Sequence, residues 1–280
     1  MAKKPLVSIV IPAYNSERYI GRTVTFALAT DYPNLEVVVV DDCSTDNTLK
    51  VLELFHDKRL RVIRNEKNLG MTGNWNKCVR SARGEYVKLI PADDLVYPDC
   101  IKKSLPLLLR HPDIKLVVTG TDLINEKDET IGKYLHWPVR GVFDGRKLAK
   151  PSMIFNNFYG NPVCALFRKS DFEDVGGFDE CFPYILDFDL WLALSSLGRV
   201  AVIKERLNAF RVRTDSNSGH MMGGGENVYT AEHIRLFDKY SAGNIFPLNR
   251  FERALAIGTR KVRNVLIGLF IRVKSKKSAK

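Results

Sequence analysis

The chain has 280 residues, 45% hydrophobic and 27% charged, and a formal net charge of +11. That length and balance are ordinary for a globular protein and suit one large α/β domain with an appendage. No apolar run approaches the ~20 residues that cross a membrane. The five cysteines are widely spaced and form no CxxC pair, which argues against zinc and disulfides and fits a reducing cytoplasm.

The elements follow in chain order. MAKKPLVSIVIP reads as a first strand, Val7–Ile11, and not as a signal peptide, because its apolar run is short and meets Pro12. Asn15 and Ser16 can cap a helix running to about Ala29. Glu36–Val40 is a β-branched run suited to a central parallel strand, and it ends on Asp41 and Asp42. Asp46 can cap a helix reaching about His56. A short strand at Arg61–Arg64, a polar loop at Asn65–Gly73 and a helix from about Asn74 to Arg83 lead to Gly84–Asp94, GEYVKLIPADD. This segment is a buried strand stopped by Pro91, with Asp93 and Asp94 in the loop at its carboxyl end.

The repeated strand–helix alternation predicts a parallel, doubly wound sheet. Further on, Pro98–Arg110 is a helix, Ile114–Thr119 a strand, and residues 120–150 are loops and short strands around Trp137. Val163–Arg168 is a strand, Gly176-Gly177 a tight turn, and Asp187–Leu197 a helix. Val200–Ile203 and Leu207–Val212 are short strands. Residues 214–225, rich in Gly, Ser and Asn, are expected to be mobile. Helices alone are expected from Glu226 onward.

Three polar clusters lie at strand ends: Pro12–Asn15, Asp41–Asp42 and Asp93–Asp94. In a parallel sheet these ends share one edge, where ligands bind. There Tyr14 can stack on a flat base, and Asp42 can accept hydrogen bonds from a base or ribose. The Asp93–Asp94 pair can hold a hard cation such as Mg²⁺ or Mn²⁺. Neither GxGxxG after the first strand nor GxxxxGK[ST] is present, so the two commonest nucleotide motifs are absent.

These residues together resemble the family 2 glycosyltransferases, whose fold is GT-A, a Rossmann-like, mostly parallel sheet with flanking helices. The resemblance covers residues 6–215. VSIVIPAYN is similar to the family's base-binding strand and loop. VVVVDDCSTDNT resembles its VDDGSxDxT element with Cys43 for glycine, and RNEKNLGMTGNWN its NxG element. GEYVKLIPADD resembles the DxD-type strand, with Pro91 for the first acid. VGGFDE followed by ILDFDLWLAL resembles the segment that holds the general base.

The resemblance implies roles for individual residues. Pro12, Ala13, Tyr14 and Asp42 would bind the base, and Asp93 the ribose. Gly70, Asn74 and Arg211 would also lie at the nucleotide-sugar. Asp94 would bind the divalent metal, Mn²⁺ or Mg²⁺, and Asp187 would be the catalytic base, with Leu186 where Glu is common. Trp75 stands in place of an arginine, and Arg213 in place of a histidine that ligates metal. His220 is a nearby substitute.

The implied activity is inverting, metal-dependent transfer of one sugar from a nucleotide-sugar donor, UDP-linked, to a glycan or lipid-linked acceptor in surface polysaccharide synthesis. Domain boundaries are expected at 1–215, with a donor half to about 97 and an acceptor half beyond, and a 216–280 loop and tail. The weighed alternatives are a nucleotide-binding oxidoreductase, a non-catalytic GT-A scaffold and a processive synthase. Lack of QxxRW and of membrane spans argues against the last.

The tail is a separate question. Residues 250–280 carry ten Lys/Arg and one Glu, and so +9 of the net charge. Phe251, Leu255, Val262, Leu266, Leu269 and Val273 form one helical stripe, with Arg253 and Arg260 opposite. Two readings stay open. Either the stripe packs on the catalytic body, or it lies on an anionic cytoplasmic membrane face and makes the protein peripheral there. No nucleic-acid partner is expected, because the body offers no basic face or aromatic platform.

Overall fold

The computed structural model describes residues 4–134, 140–213 and 226–263. One ten-stranded mixed sheet runs through it. Its strands are β1 Val7–Ala13, β2 Leu35–Asp41, β3 Leu60–Arg64, β4 Tyr86–Leu89, β5 Leu95–Val96, β6 Ile114–Ile124, β7 Thr130–Tyr134, β8 Gly141–Asp144, β9 Ala165–Arg168 and β10 Arg199–Arg211. The order is β3-β2-β1-β4-β9-β6-β10-β5, with β7 on β6 and β8 on β10. β3, β2, β1 and β4 are parallel. β9 lies antiparallel between β4 and β6, and β10 is parallel to β6. The carboxyl ends of β1, β2, β4 and β10 therefore share one edge.

Helices cover both faces: α1 Ile20–Leu28, α2 Thr48–Glu53, α3 Gly70–Arg80, α4 Cys100–Arg110, α5 Gly145–Ile154, α6 Lys169–Asp174, α7 Leu186–Leu197 and α8 Glu226–Ala242. This double cover explains why β1 and β2 are buried along their whole length. Each fully buried Val or Ile contributes about 1.5–3 kcal/mol relative to exposure, so a continuous apolar run is stable only between two layers. The α3/α7 side buries Trp75, Phe167 and Trp191, and the α1/α4 side Ile9, Val37 and Ile101. Trp191 is fully buried against Phe167, 5.9 Å between ring centres, which makes it core.

Four elements differ from expectation. α1 begins at Ile20 and not at an Asn15/Ser16 cap. Asn15 is left-handed, φ 46°, and its amide group is engaged with the β2 loop instead. α3 begins at Gly70, four residues early, because the Asp42 carboxylate accepts the Leu69 N–H at its N-terminus. β6 runs on to Ile124 and turns back as β7, while residues 145–154 form a helix. β10 is one 13-residue strand with bulges, where two short strands were expected.

A last helix occupies residues 250–263. Its Phe251 and Val262 are exposed, while Ala256 and Arg260 are buried. The described part of the expected stripe thus points outward, and the face carrying Arg260 packs inward. Arg260 donates to the Ser152 carbonyl at 2.6 Å and lies over the Phe188 ring. Burial pushes its pKa down to about 10. Leu266, Leu269, Val273, Trp137, His220 and the 214–225 segment lie outside the described residues.

Candidate active site

The loops after β1 and β2 are stitched together by side chains that accept each other's backbone N–H groups. Asn15 N donates to Ser44 Oγ at 2.9 Å, and Thr45 N to Asn15 Oδ1 at 2.9 Å. Ser16 N donates to Thr48 Oγ1, and Glu17 N and Thr48 N both donate to the Asp46 carboxylate. Glu17 in turn accepts from both amide groups of Asn47 at 2.8 Å. Short polar residues do this because they bridge loops without a packed core. Cys43 takes φ 62°, a left-handed position that glycine adopts most readily. On this fixed loop Tyr14 is 51% exposed, an aromatic face held out to solvent at the strand ends. Pro12 and Ala13 are buried in β1 behind it.

Asp42 is buried next to it. Its Oδ1 accepts Asn65 Nδ2 at 2.7 Å and Leu69 N at 2.8 Å, and its Oδ2 takes no hydrogen bond from the described residues. Asn74 lies beneath. Its amide donates to the Ala13 and Val40 carbonyls and accepts from Asn65, so it clamps the ends of β1 and β2. Gly70, at φ 73°, opens α3 beside this network. Asn74 is thus a support under the edge, placed one layer below where a donor ligand was expected.

At the end of β4 the two acids part ways. Asp93 keeps 22% of its side-chain surface, and its Oδ2 lies 3.2 Å from Arg213 Nε. Asp94 is fully buried, with Oδ1 accepting the Arg211 N–H at 2.9 Å. Burial, and then the charge of Asp93, push the Asp94 pKa well above the usual carboxylate range. Arg211 is also turned inward. Its guanidinium donates to the Asp93 and Asn125 carbonyls and to Asp128 Oδ1, and lies over the Tyr19 ring at 4.7 Å. With no side-chain surface left, Arg211 is a brace between β10, the β4 loop and the β6–β7 turn.

The second half of the site is tied to the first by α3. Asn76 brackets Phe178: its Nδ2 donates to the Phe178 carbonyl at 2.8 Å and its Oδ1 accepts Phe178 N at 2.9 Å. Trp75 meets the Phe178 ring edge-on, 5.5 Å between centres. Gly177, at φ 84°, admits this approach, since a Cβ there would stand 2.5 Å from Asn76 Oδ1. The loop so held enters α7, whose first turn carries Asp187. Burial raises the Asp187 pKa to about 6, against the backbone N–H groups of the helix start, which lower it. Asp189, two residues on, bonds Lys239 Nζ at 2.8 Å and Tyr240 Oη at 2.9 Å, and fixes α8 to α7.

Comparison with known proteins bears on this arrangement. A family model described as "Glycosyl transferase family 2" matches residues 8–176. The chain belongs to this family. It is 32% identical over 199 residues to the chondroitin synthase of Escherichia coli, covering 71% of the chain and 28% of that protein. It is 34% identical over 143 residues to the putative teichuronic acid biosynthesis glycosyltransferase TuaG of Bacillus subtilis, covering 50% of the chain and 56% of that protein. The match thus spans little more than a quarter of the chondroitin synthase.

Among solved structures, S. aureus TarS 1–349 in complex with UDP-GlcNAc has a TM-score of 0.69 at 19% identity, over 90% of this chain and 70% of that one. The mannosyltransferase PcManGT of Pyrobaculum calidifontis, in complex with GDP-Man and Mn²⁺, has 0.59 at 18%, over 99% and 80%. The fold of this family 2 chain is that of the GT-A glycosyltransferases.

The metal expected at Asp94 can be tested against the residues of this glycosyltransferase chain. Asp94 Oδ2 is a buried oxygen without a hydrogen-bond partner, but it is shut inside the fold under Arg211. Asp93 is the partly exposed acid, and its Oδ2 already faces a guanidinium. The positive charges of Arg211 and Arg213 stand beside these acids. No group of three His, Cys, Asp or Glu gathers among the described residues. A hard cation needs several anionic or neutral oxygens around it, and this set does not fit one.

Proposed function

We propose that this chain is an inverting glycosyltransferase that moves one sugar from a nucleotide diphosphate sugar, UDP-linked, to a glycan or lipid-linked acceptor in surface polysaccharide synthesis. The observation that carries the reading is the helix α3. Its N-terminus sits at Asp42, and its Asn76 holds the loop that delivers Asp187. One rigid element thereby sets a base-recognising carboxylate and a carboxylate of raised pKa at fixed separation. The named relatives act in glycan synthesis, and the two solved neighbours hold nucleotide-sugars.

In this reading Tyr14 stacks on the base, Asp42 Oδ2 accepts from it, and Asp93 lies at the ribose and diphosphate. Asp187 takes the acceptor's hydroxyl proton as the new bond forms at the sugar carbon and the old bond breaks toward the diphosphate. A base with a pKa of about 6 is unprotonated at neutral pH and still a competent proton acceptor. The divalent cation is left out of the proposal, because the residues present do not fit it. A non-catalytic scaffold would have no use for Asp187 in this environment.

The test is a thermal-shift panel of UDP- and GDP-sugars. A donor at 100 times its Kd adds about 2.7 kcal/mol to the folded state, which raises the melting temperature by several degrees. A panel in which no nucleotide-sugar shifts the transition contradicts the reading.

The acceptor is read from a groove of ≈ 790 Å³ lined by Tyr134, Phe155, Leu255, Val262 and Arg263 among others. Arg263 is also a charge felt by Asp187. An apolar groove with a cation near the base suits an amphipathic, anionic acceptor. Phe251, and Leu255 and Val262 of that lining, are 76%, 36% and 62% exposed on a helix rich in Lys and Arg. That face suits the anionic side of a membrane, where each basic residue near the surface adds about 1 kcal/mol. No helix among the described residues is long and apolar enough to cross one. Replacing the three residues by Ser is expected to reduce co-sedimentation with anionic vesicles, and high salt to reduce it further. Equal pelleting of both proteins would contradict membrane docking by this face.

A further inference from the structure

The oppositely charged pair at the end of β4 is built into the chain at the place where the diphosphate of a donor would lie. Asp93 and Arg213 face each other at 3.2 Å and retain 22% and 21% of their side-chain surface. The Arg213 guanidinium lies 5.0 Å above the Tyr19 ring, on the same ring that Arg211 covers at 4.7 Å. Tyr19 itself is buried at the start of α1. Arg213 is therefore oriented by a carboxylate and an aromatic face, and keeps solvent contact that Arg211 does not have.

We propose that Arg213 does the work of a divalent cation in this protein, so that donor binding and sugar transfer proceed without metal. The inference rests on the nucleotide-sugar reading of this cleft. As the sugar carbon leaves, its bonding electron pair passes to the oxygen of the terminal phosphate. The acceptor oxygen forms the new bond, and its proton goes to Asp187. Charge thus grows on the diphosphate, and a cation there lowers the barrier.

A guanidinium meets this need well. Its planar fork pairs two phosphate oxygens at once. Asp93 acts as a positioning residue, holding the guanidinium nearby by its charge. A divalent ion would have to break this pair and approach a fixed positive charge. Asp94 is closed to it by burial, and its Oδ1 also by the Arg211 N–H.

The test is calorimetric titration of UDP and GDP, with uridine and guanosine as controls, into the full chain in EDTA and in Mn²⁺. The unaltered chain is expected to bind one of the two diphosphates equally well in both buffers. Arg213→Ala is expected to weaken that diphosphate by about 10- to 100-fold in both, the usual worth of a charge-assisted contact, and to leave the nucleoside unchanged. Arg213→His is expected to recover affinity only when Mn²⁺ is present.

Binding by the unaltered chain that appears only with Mn²⁺ would overturn the proposal while leaving the nucleotide-sugar reading intact. So would undiminished diphosphate binding by a folded Arg213→Ala. The EDTA comparison on the unaltered chain depends on no variant folding. If neither diphosphate binds in either buffer, this proposal and the cleft reading fall together.

Discussion

Asp187→Asn is expected to lower turnover by about 10²–10⁴-fold, the usual contribution of a general base, with donor affinity close to that of the unaltered protein. The asparagine fills the same space at the start of α7 but cannot take a proton. The pH dependence carries a second signature. The Asp187 pKa is raised to about 6, and activity needs the ionised form. The rate of the unaltered protein should therefore rise with pH up to about 6 and flatten above it. The variant's residual rate should lack that limb.

Stability should move the other way. A carboxyl whose folded pKa lies above its unfolded value favours the fold while protonated, and that contribution is lost as pH rises through about 6. Above that pH the asparagine variant, free of a desolvated charge, should melt no lower than the unaltered protein. A variant that loses activity together with its fold would make Asp187 a structural residue.

Asp42→Asn is expected to weaken the donor by about 10- to 100-fold. A hydrogen bond to a charged acceptor contributes about 1.5–3 kcal/mol, and each 1.4 kcal/mol is tenfold in affinity. The substitution keeps a carbonyl oxygen for Asn65 and for the Leu69 N–H, so α3 should still start at Gly70. What is lost is the charge on Oδ2. Helical content by circular dichroism should be unchanged, while equilibrium binding of the nucleotide-sugar falls. Unchanged binding would move base recognition away from Asp42.

Much of the strand-end edge was legible because each parallel strand announces its own end. VVVV stops at Asp41–Asp42 and YVKLI at Pro91, and a buried apolar run can be followed by a polar pair only where the chain leaves the sheet. The adjacent acids Asp93 and Asp94 were legible as a pair but not as individuals. Neighbouring side chains diverge in direction, and the inward one is decided by Arg211, which arrives from more than a hundred residues away. The inward bracing of Arg211 was hidden for the same reason. Its partners Asn125 and Asp128 sit in the β6–β7 turn, a pairing that no local pattern in residues 120–150 reveals.

Asn74 and Asn76 lie in one motif, of which only Asn74 was expected at the site, and one clamps strand ends while the other grips the Phe178 loop. Spacing on a helix gives the face, and only the fold says what that face meets. The last helix shows this too. Its 3.6-residue periodicity identified a stripe, but the packed side is the one with Arg260, whose guanidinium finds the ends of α5 and the ring of Phe188. A buried arginine of this kind looks solvated in a helical projection.

The most direct test of the division between a donor edge and a separate base is one calorimetric series. The nucleotide-sugar with the largest thermal shift is titrated into the unaltered protein, Asp42→Asn and Asp187→Asn. Equal affinity in the unaltered and Asp187→Asn proteins, with Asp42→Asn weaker by about 10- to 100-fold, is the predicted result. Loss of binding in Asp187→Asn with full binding in Asp42→Asn would contradict it.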